Sequence, residues 1–265
     1  MTIDWKEANR EAIELFKGLL RIDTTNPPGN ERQAADYLAE ALAEEGIDPW
    51  VVESAEGRGN LVARLEPTVE EPAAGPILLA GHTDVVPADG SQWTHPPFGG
   101  VEADGCIWGR GAVDMKNMIA MSAMVMKLLA RTGGERSREV VFAAVADEER
   151  GCEQGSQFLV EEHPGRVEAD VMFGEVGGFW QTIGEVTYLP VMVAEKGQAH
   201  LRLTATGPAG HGSMPRRDTA VGALSRAVER LSTERLPYHL TGPIERFVGR
   251  LCESQPLANR IGLKG

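Results

Sequence analysis

The sequence predicts an α/β fold, a mostly parallel sheet flanked by helices and followed by a smaller α+β segment. Three observations carry that expectation. Short apolar runs alternate with helical stretches between residues 59 and 175, the runs are rich in β-branched and small residues, and the connectors are long enough for parallel crossovers. A chain of 265 residues with 42% hydrophobic and 25% charged residues has the composition of a globular protein.

The elements follow in order. Asp4 to about Leu20 places Ala8, Ala12, Ile13, Leu15, Phe16, Leu19 and Leu20 at helical spacing and ends before the breaker TTNPPGN. NERQAADYLAEALAEEG reads as a second helix with Asn30 as N-cap, Gly46 as stop, and Ala34, Leu38, Ala41 and Leu42 on one face. Two short strands are expected near Pro49 to Val52 and Gly59 to Leu65. Then come the strand in GPILLAGHTDVV, the helix MKNMIAMSAMVMKLLA, the strand REVVFAAVA, the helix GSQFLVEEH and the strand ADVMFGE. Beyond Gly184 the text changes. Alternation in HLRLTAT suggests a strand and DTAVGALSRAVER a helix, and a boundary near Val193 divides the chain into residues 1–193 and 194–265.

Lys plus Arg number 26 against 39 Asp plus Glu, a formal net charge of -13, which repels nucleic acid and anionic lipid. The start, MTIDWKEANRE, has no apolar signal core. Met118 to Ala130 is interrupted by Lys127 and is shorter than the roughly 20 residues a bilayer requires, so a cytoplasmic protein is expected. Cys106, Cys152 and Cys252 form no CxxC pair, and they read as buried or incidental thiols of a reducing compartment.

Several expected strands end in metal-type ligands. PILLA runs into His82 and Asp84, REVVFAAVA into Asp147, Glu148 and Glu149, and ADVMFG into Glu175. His82 and Asp84 are two apart, so in extended chain they share a side, and Asp84 can accept the ring N–H that His82 does not use for a metal. Alone, such a pair reads as a core or turn histidine, and the context reverses that. Asp114, in GRGAVDMK, reads either as an ordinary helix N-cap or as a carboxylate bridging two cations, with Gly109 and Gly111 permitting a tight loop. The acidic run at 147–149 reads either as a solvated strand end or as a pair of roles, one glutamate on metal and the other removing a proton from water.

GHTDVVP, WTHPPFGGVEADGCIWGRGAVDMK, the strand ending DEE, and GPAGHGSMP, in this order and spacing, resemble the M20 family of metallopeptidases and amidohydrolases. Its members include acetylornithine deacetylase, succinyl-diaminopimelate desuccinylase, carboxypeptidase G2 and aminoacylase-1. The resemblance implies a zinc-exopeptidase-like catalytic domain over residues 1–193 and part of a lid and dimerisation domain over 194–265. It implies two Zn²⁺ per active site, with Co²⁺ or Mn²⁺ as substitutes. His82 and Glu175 would hold one ion, Glu149 the other, and Asp114 would bridge them. Glu148 would be general base and acid, Asp84 would orient His82, and the Asp114–Met115 bond would be cis. His211, in GPAGHGSMP, matches a lid histidine that enters the partner subunit's site and stabilises the oxyanion, which implies a homodimer. The expected substrates are N-acyl amino acids or small peptides.

The resemblance also implies a further histidine ligand beyond the lid. The only histidine after His211 is His239, in LPYHLTGP, whose context does not match it. The expectation is therefore a piece of a longer protein or an incomplete second metal site. The alternative from another class is a silent binding or dimerisation protein. A glycosidase using Glu148 and Glu175 explains neither His82 nor the GRGAVDMK loop.

Overall fold

The computed structural model describes residues 2–175, 180–194, 197, 199 and 201–256. The chain divides into two compact units, Met1–Glu175 and Val176–Gly265, so the first unit ends ahead of the expected boundary near Val193.

The first unit opens with α1 (Trp5–Arg21), whose N-cap Asp4 accepts from the backbone N–H of Lys6 and Glu7, and whose Leu15, Leu19 and Leu20 are buried. α2 (Glu31–Ala43) buries Ala34, Ala35, Leu38 and Leu42. Asn30 is its N-cap residue, as expected, although its side chain makes no capping bond. β1 (Trp50–Glu53) and β2 (Gly59–Leu65) form a hairpin, and β3 is Ile77–His82. β4 (Val101–Ala103) and β5 (Cys106–Trp108) make a small ribbon before α3 (Lys116–Thr132). β6 (Val140–Val145), α4 (Ser156–Glu162), α5 (Pro164–Val167) and β7 (Val171–Phe173) complete the unit.

The main sheet has the order β1-β2-β6-β3-β7. β3 is parallel to both β6 and β7, whereas β1–β2 and β2–β6 are antiparallel. The sheet is therefore mixed. The link from β1 to β2 is too short for a parallel crossover, while α3 carries the chain between β3 and β6. β6 sits centrally and is the most deeply buried strand, with Val141 and Phe142 fully enclosed. One face packs on Leu19, Leu38, Leu42, Ile119 and Met126 from the helices, and the other on Leu159. The C-terminal ends of β3 and β6 therefore lie side by side, with His82 opposite Val145.

Three helices are tied together at their polar ends. Lys127, on α3 and nearly buried, sits 2.8 Å from Glu11 and 3.1 Å from Glu44, and Arg131 grips Glu11 and Glu45. The Arg131 bonds, with help from Lys127, outweigh burial and hold Glu11 at about 2. A carboxyl whose folded pKa is depressed stabilises the fold above its ordinary pKa near 4.5 and loses that contribution as pH falls toward about 2. Thermal melts of wild type and Glu11→Gln should accordingly differ most above pH 5 and converge as pH is lowered to about 2.5. A constant gap would disprove the assignment.

In the second unit, β8 (Gln181–Ile183) pairs with β9 (Val186–Tyr188), and α6 (Ala220–Thr233) and α7 (Gly242–Ser254) follow. Residues 201–206 of the expected HLRLTAT strand are not in a strand, and His200 lies outside the described residues. Leu201 and Leu203 are exposed, so the alternation there has no apolar face to bury. α6 matches the expected helix to within a few residues, whereas α7 was not foreseen.

Candidate metal centre

The centre forms where β3 and β6 end. His82 is the last residue of β3 and is 1% exposed. Its Nδ1 lies 3.0 Å from the Asp84 carbonyl oxygen and 3.3 Å from the Asp84 carboxylate, so both oxygens favour a proton on Nδ1 and leave Nε2 free to ligate. Nε2 faces Asp114 Oδ1 at 3.0 Å, Glu175 Oε2 at 3.7 Å and Glu148 Oε2 at 3.9 Å.

The Asp114 loop is fixed against β3 by its neighbours. The Asp114–Met115 peptide is cis. Met115 is buried, and its sulfur accepts the His82 backbone N–H at 3.3 Å. Gly81 makes room for that sulfur, because a Cβ there would come within 2.6 Å of the Met115 methyl group. Gly111 adopts φ +84, in the region glycine tolerates. Lys116, fully buried at the start of α3, donates to the carbonyls of Leu19 and Ile22 at the end of α1. Burial depresses that amine to about 8. The capping role open to Asp114 is not seen, since α3 begins after Met115 and has no side-chain cap.

At the end of β6 the chain turns through Asp147, which takes φ +66, into a 3₁₀ turn over Glu148–Arg150. Asp84 holds this turn as well as His82. One of its oxygens accepts the Glu148 backbone N–H and the other that of Glu149, both at 3.1 Å. The backbone of the acidic run is therefore anchored, with Asp147 buried, Glu149 half-buried and Glu148 exposed.

The charges explain why the cluster suits a cation. Burial works against the His82 imidazolium, but Asp84, Glu148 and Glu175 outweigh it and raise the group to about 9. Burial and the neighbouring Asp114 carboxylate push both Glu149 and Glu175 upward. One imidazole is thus surrounded by carboxylates, and the nearby Lys116 ammonium is committed to backbone carbonyls. The ligand atoms of His82, Asp114 and Glu175 all lie within 4.8 Å of one another. Nitrogen and oxygen ligands about 2.0–2.2 Å from one tetrahedral ion would be roughly 3.4 Å apart, so 3.0 and 3.7 Å bracket that spacing. The donor set fits a divalent metal.

Residues 78–247 match the profile of Peptidase family M20/M25/M40. The chain belongs to this family. Among M20 relatives it is similar to aminoacylase-1 of Sus scrofa, 32% identical over 227 residues, covering 85% of this chain and 54% of that one. It is likewise similar to the probable succinyl-diaminopimelate desuccinylase of Staphylococcus epidermidis, 31% identical over 230 residues, with 86% and 52% covered. The chain spans about half the length of the curated relatives it matches. The M20 metallo-carboxypeptidase Sso-CP2 of Sulfolobus solfataricus shares the fold, at TM-score 0.54 and 22% identity, over 63% of this chain and 38% of that structure. M20 enzymes are metal-dependent, and a possible metal-binding triad is present here in His82, Asp114 and Glu175.

Of the remaining predicted residues, Glu148 and Glu149 flank this triad on the turn held by Asp84. His211 belongs to the second unit, where it is exposed and its Nδ1 lies 2.8 Å from Ser213 Oγ. Sequence reasoning missed a buried layer behind the centre. Asn26, Arg58, Glu31 and Asp147 interlock there, and in the sequence TTNPPGN signals only a helix breaker.

Proposed function

We propose that this chain carries the metal-binding part of a hydrolase that cleaves amide or peptide bonds in N-acyl amino acids or small peptides. The observation that carries this reading is the convergence of His82, Asp114 and Glu175, with Glu148 beside them, at the ends of three strands and a loop. His82, Asp114 and Glu175 would hold one Zn²⁺, and Asp114 and Glu149 would hold a second, with Co²⁺ or Mn²⁺ as substitutes. Bound there, a divalent ion supplies a Lewis acid for the scissile carbonyl and lowers the pKa of water to about 7.

The protein groups then divide the work. Asp84 keeps the His82 proton on Nδ1. Glu148, whose carboxylate is exposed and lies 3.9 Å from His82 Nε2, accepts the proton of the attacking water and returns it to the leaving nitrogen. His211, contributed by a partner subunit of a homodimer through the 194–265 segment, stabilises the oxyanion. The family relationship supports deacylase and exopeptidase activity alike. Among the described residues no helix is long and apolar enough to cross a membrane, and we place the enzyme in the cytoplasm.

Elemental analysis after equilibration with Zn²⁺ tests the reading. Wild type should retain bound zinc, and Asp114→Ala should lose it, because both ions would depend on that carboxylate. Absence of zinc from the folded wild type would overturn the proposal for this chain.

A further inference from the structure

Behind the centre lies a buried hydrogen-bond layer built around one amide. Asn26 is 2% exposed, and its Nδ2 donates to Asp84 Oδ2 at 2.8 Å and to Asp147 Oδ1 at 2.9 Å. Its Oδ1 faces Arg58 Nη1 at 3.4 Å. Chemistry fixes this orientation, because the flipped amide would set an oxygen against two carboxylates and its NH₂ against a guanidinium. The backbone also pins Asn26, whose N–H donates to the Val85 carbonyl at 2.9 Å, while Val85 N–H donates to Thr24 at 3.1 Å.

The two carboxylates it joins hold different parts of the site. Asp84 holds the His82 ring and the backbone N–H groups of Glu148 and Glu149. Asp147 is the left-handed residue that turns the chain out of β6 into that same glutamate pair, and its other oxygen accepts the Gln154 N–H at 3.1 Å. The Asp84 oxygens have fixed partners in the glutamate turn, and the Asn26 bonds tie that carboxylate to Asp147. One NH₂ group therefore spans the imidazole side and the glutamate side of the cluster.

We propose that Asn26 is a positioning residue of the metal centre, setting the register between the His82 ligand and the Glu148–Glu149 turn through Asp84 and Asp147. This rests on the reading of His82, Asp114 and Glu175 as metal ligands. Asn26 touches neither metal nor substrate, and it acts on the geometry of the groups that do. Removing it takes away the amide link between Asp84 and Asp147 and uncouples the two sides, so ligands and base are no longer held at the separations one ion requires.

The test uses the 265-residue chain, Asn26→Ala and Asn26→Asp. The aspartate keeps the shape and the acceptor facing Arg58 but removes both donors. Zn²⁺ affinity is measured by competition with a chromophoric chelator, Co²⁺ geometry by visible absorption, and metal-free stability by thermal melting. Both folded variants should bind Zn²⁺ about 10–100-fold more weakly and show an altered Co²⁺ spectrum. A purely structural amide would lower the melting temperature and leave affinity and spectrum at wild-type values, which overturns the proposal. So does unfolding of both variants.

If wild type binds neither ion, the metal reading fails, and the inference is decided by the His82 ring ¹⁵N signals, assigned with His82→Gln. Shifts in both variants support coupling through Asp84, and unchanged signals overturn it.

Discussion

In a Glu148→Gln variant, metal content stays at the wild-type level while turnover of a responsive N-acyl amino acid or dipeptide falls by about 10²–10⁴, the usual contribution of a placed general base. Glutamine preserves the size of the side chain and the Glu148 N–H bond to Asp84. What disappears is the capacity to take a proton from water and pass it to nitrogen. The loss should appear in kcat with little change in KM, because the group acts in the transition state rather than in substrate binding. Glu149→Gln should behave differently, with metal occupancy falling and activity following it. If Glu148→Gln sheds metal and Glu149→Gln does not, the two roles are reversed. Equal and small effects would remove the general base from the mechanism. The pair is decisive because the Asp84 carboxylate anchors both backbone positions equally, at 3.1 Å each, so geometry alone does not rank them.

Much of this centre was legible in the chain. Period identified the helices α1, α2 and α3, each of which buries an apolar face, and short continuous apolar runs identified β2, β3 and β6, of which β6 is buried on both faces. Candidate ligand types at strand ends were also visible, since His82, Glu148, Glu149 and Glu175 follow apolar runs, and the structure gathers His82 and Glu175 with Asp114 into a possible triad. Besides α7, two features were hidden. Alternation in 201–206 mimicked a strand, although strand formation requires a partner edge and a face to bury, and Leu201 is left exposed. The second was the layer built by Asn26, Arg58, Glu31 and Asp147. Its members are far apart in sequence, and polar residues in a turn-rich segment such as TTNPPGN carry no periodic signature of burial. Only the pairing of β2, β3 and β6 brings them together, and that pairing is a property of topology rather than of any local window.

The same layer carries the largest stability effect expected of a single substitution. Arg58 Nη2 lies 2.8 Å from both Glu31 and Asp147, and Nη1 donates to the Pro28 carbonyl at 2.8 Å. The Glu31 side chain is completely buried and one of its oxygens has no hydrogen-bond partner, so its charge rests on backbone N–H groups and on the Arg58 guanidinium, the one cation paired with it among the described residues. Arg58→Met fills similar volume but leaves two buried carboxylates facing each other, at a cost of about 3–5 kcal/mol. For a unit of this size, with about 2–4 °C per kcal/mol, the melting temperature should drop by roughly 10 °C. The pH dependence identifies the cause. Burial already raises Glu31 above the ordinary carboxylate value, and losing Arg58 raises it further. A carboxyl with a raised folded pKa destabilises the fold as pH climbs from its unfolded pKa through its folded one, so the deficit of Arg58→Met should be smaller near pH 5 than at pH 8. The double variant Arg58→Met with Glu31→Gln should recover part of the loss at pH 8, because the uncompensated charge has gone. A deficit independent of pH and unrelieved by Glu31→Gln would mean that Arg58 acts through packing alone, and that the layer behind the metal centre is held by shape rather than by charge.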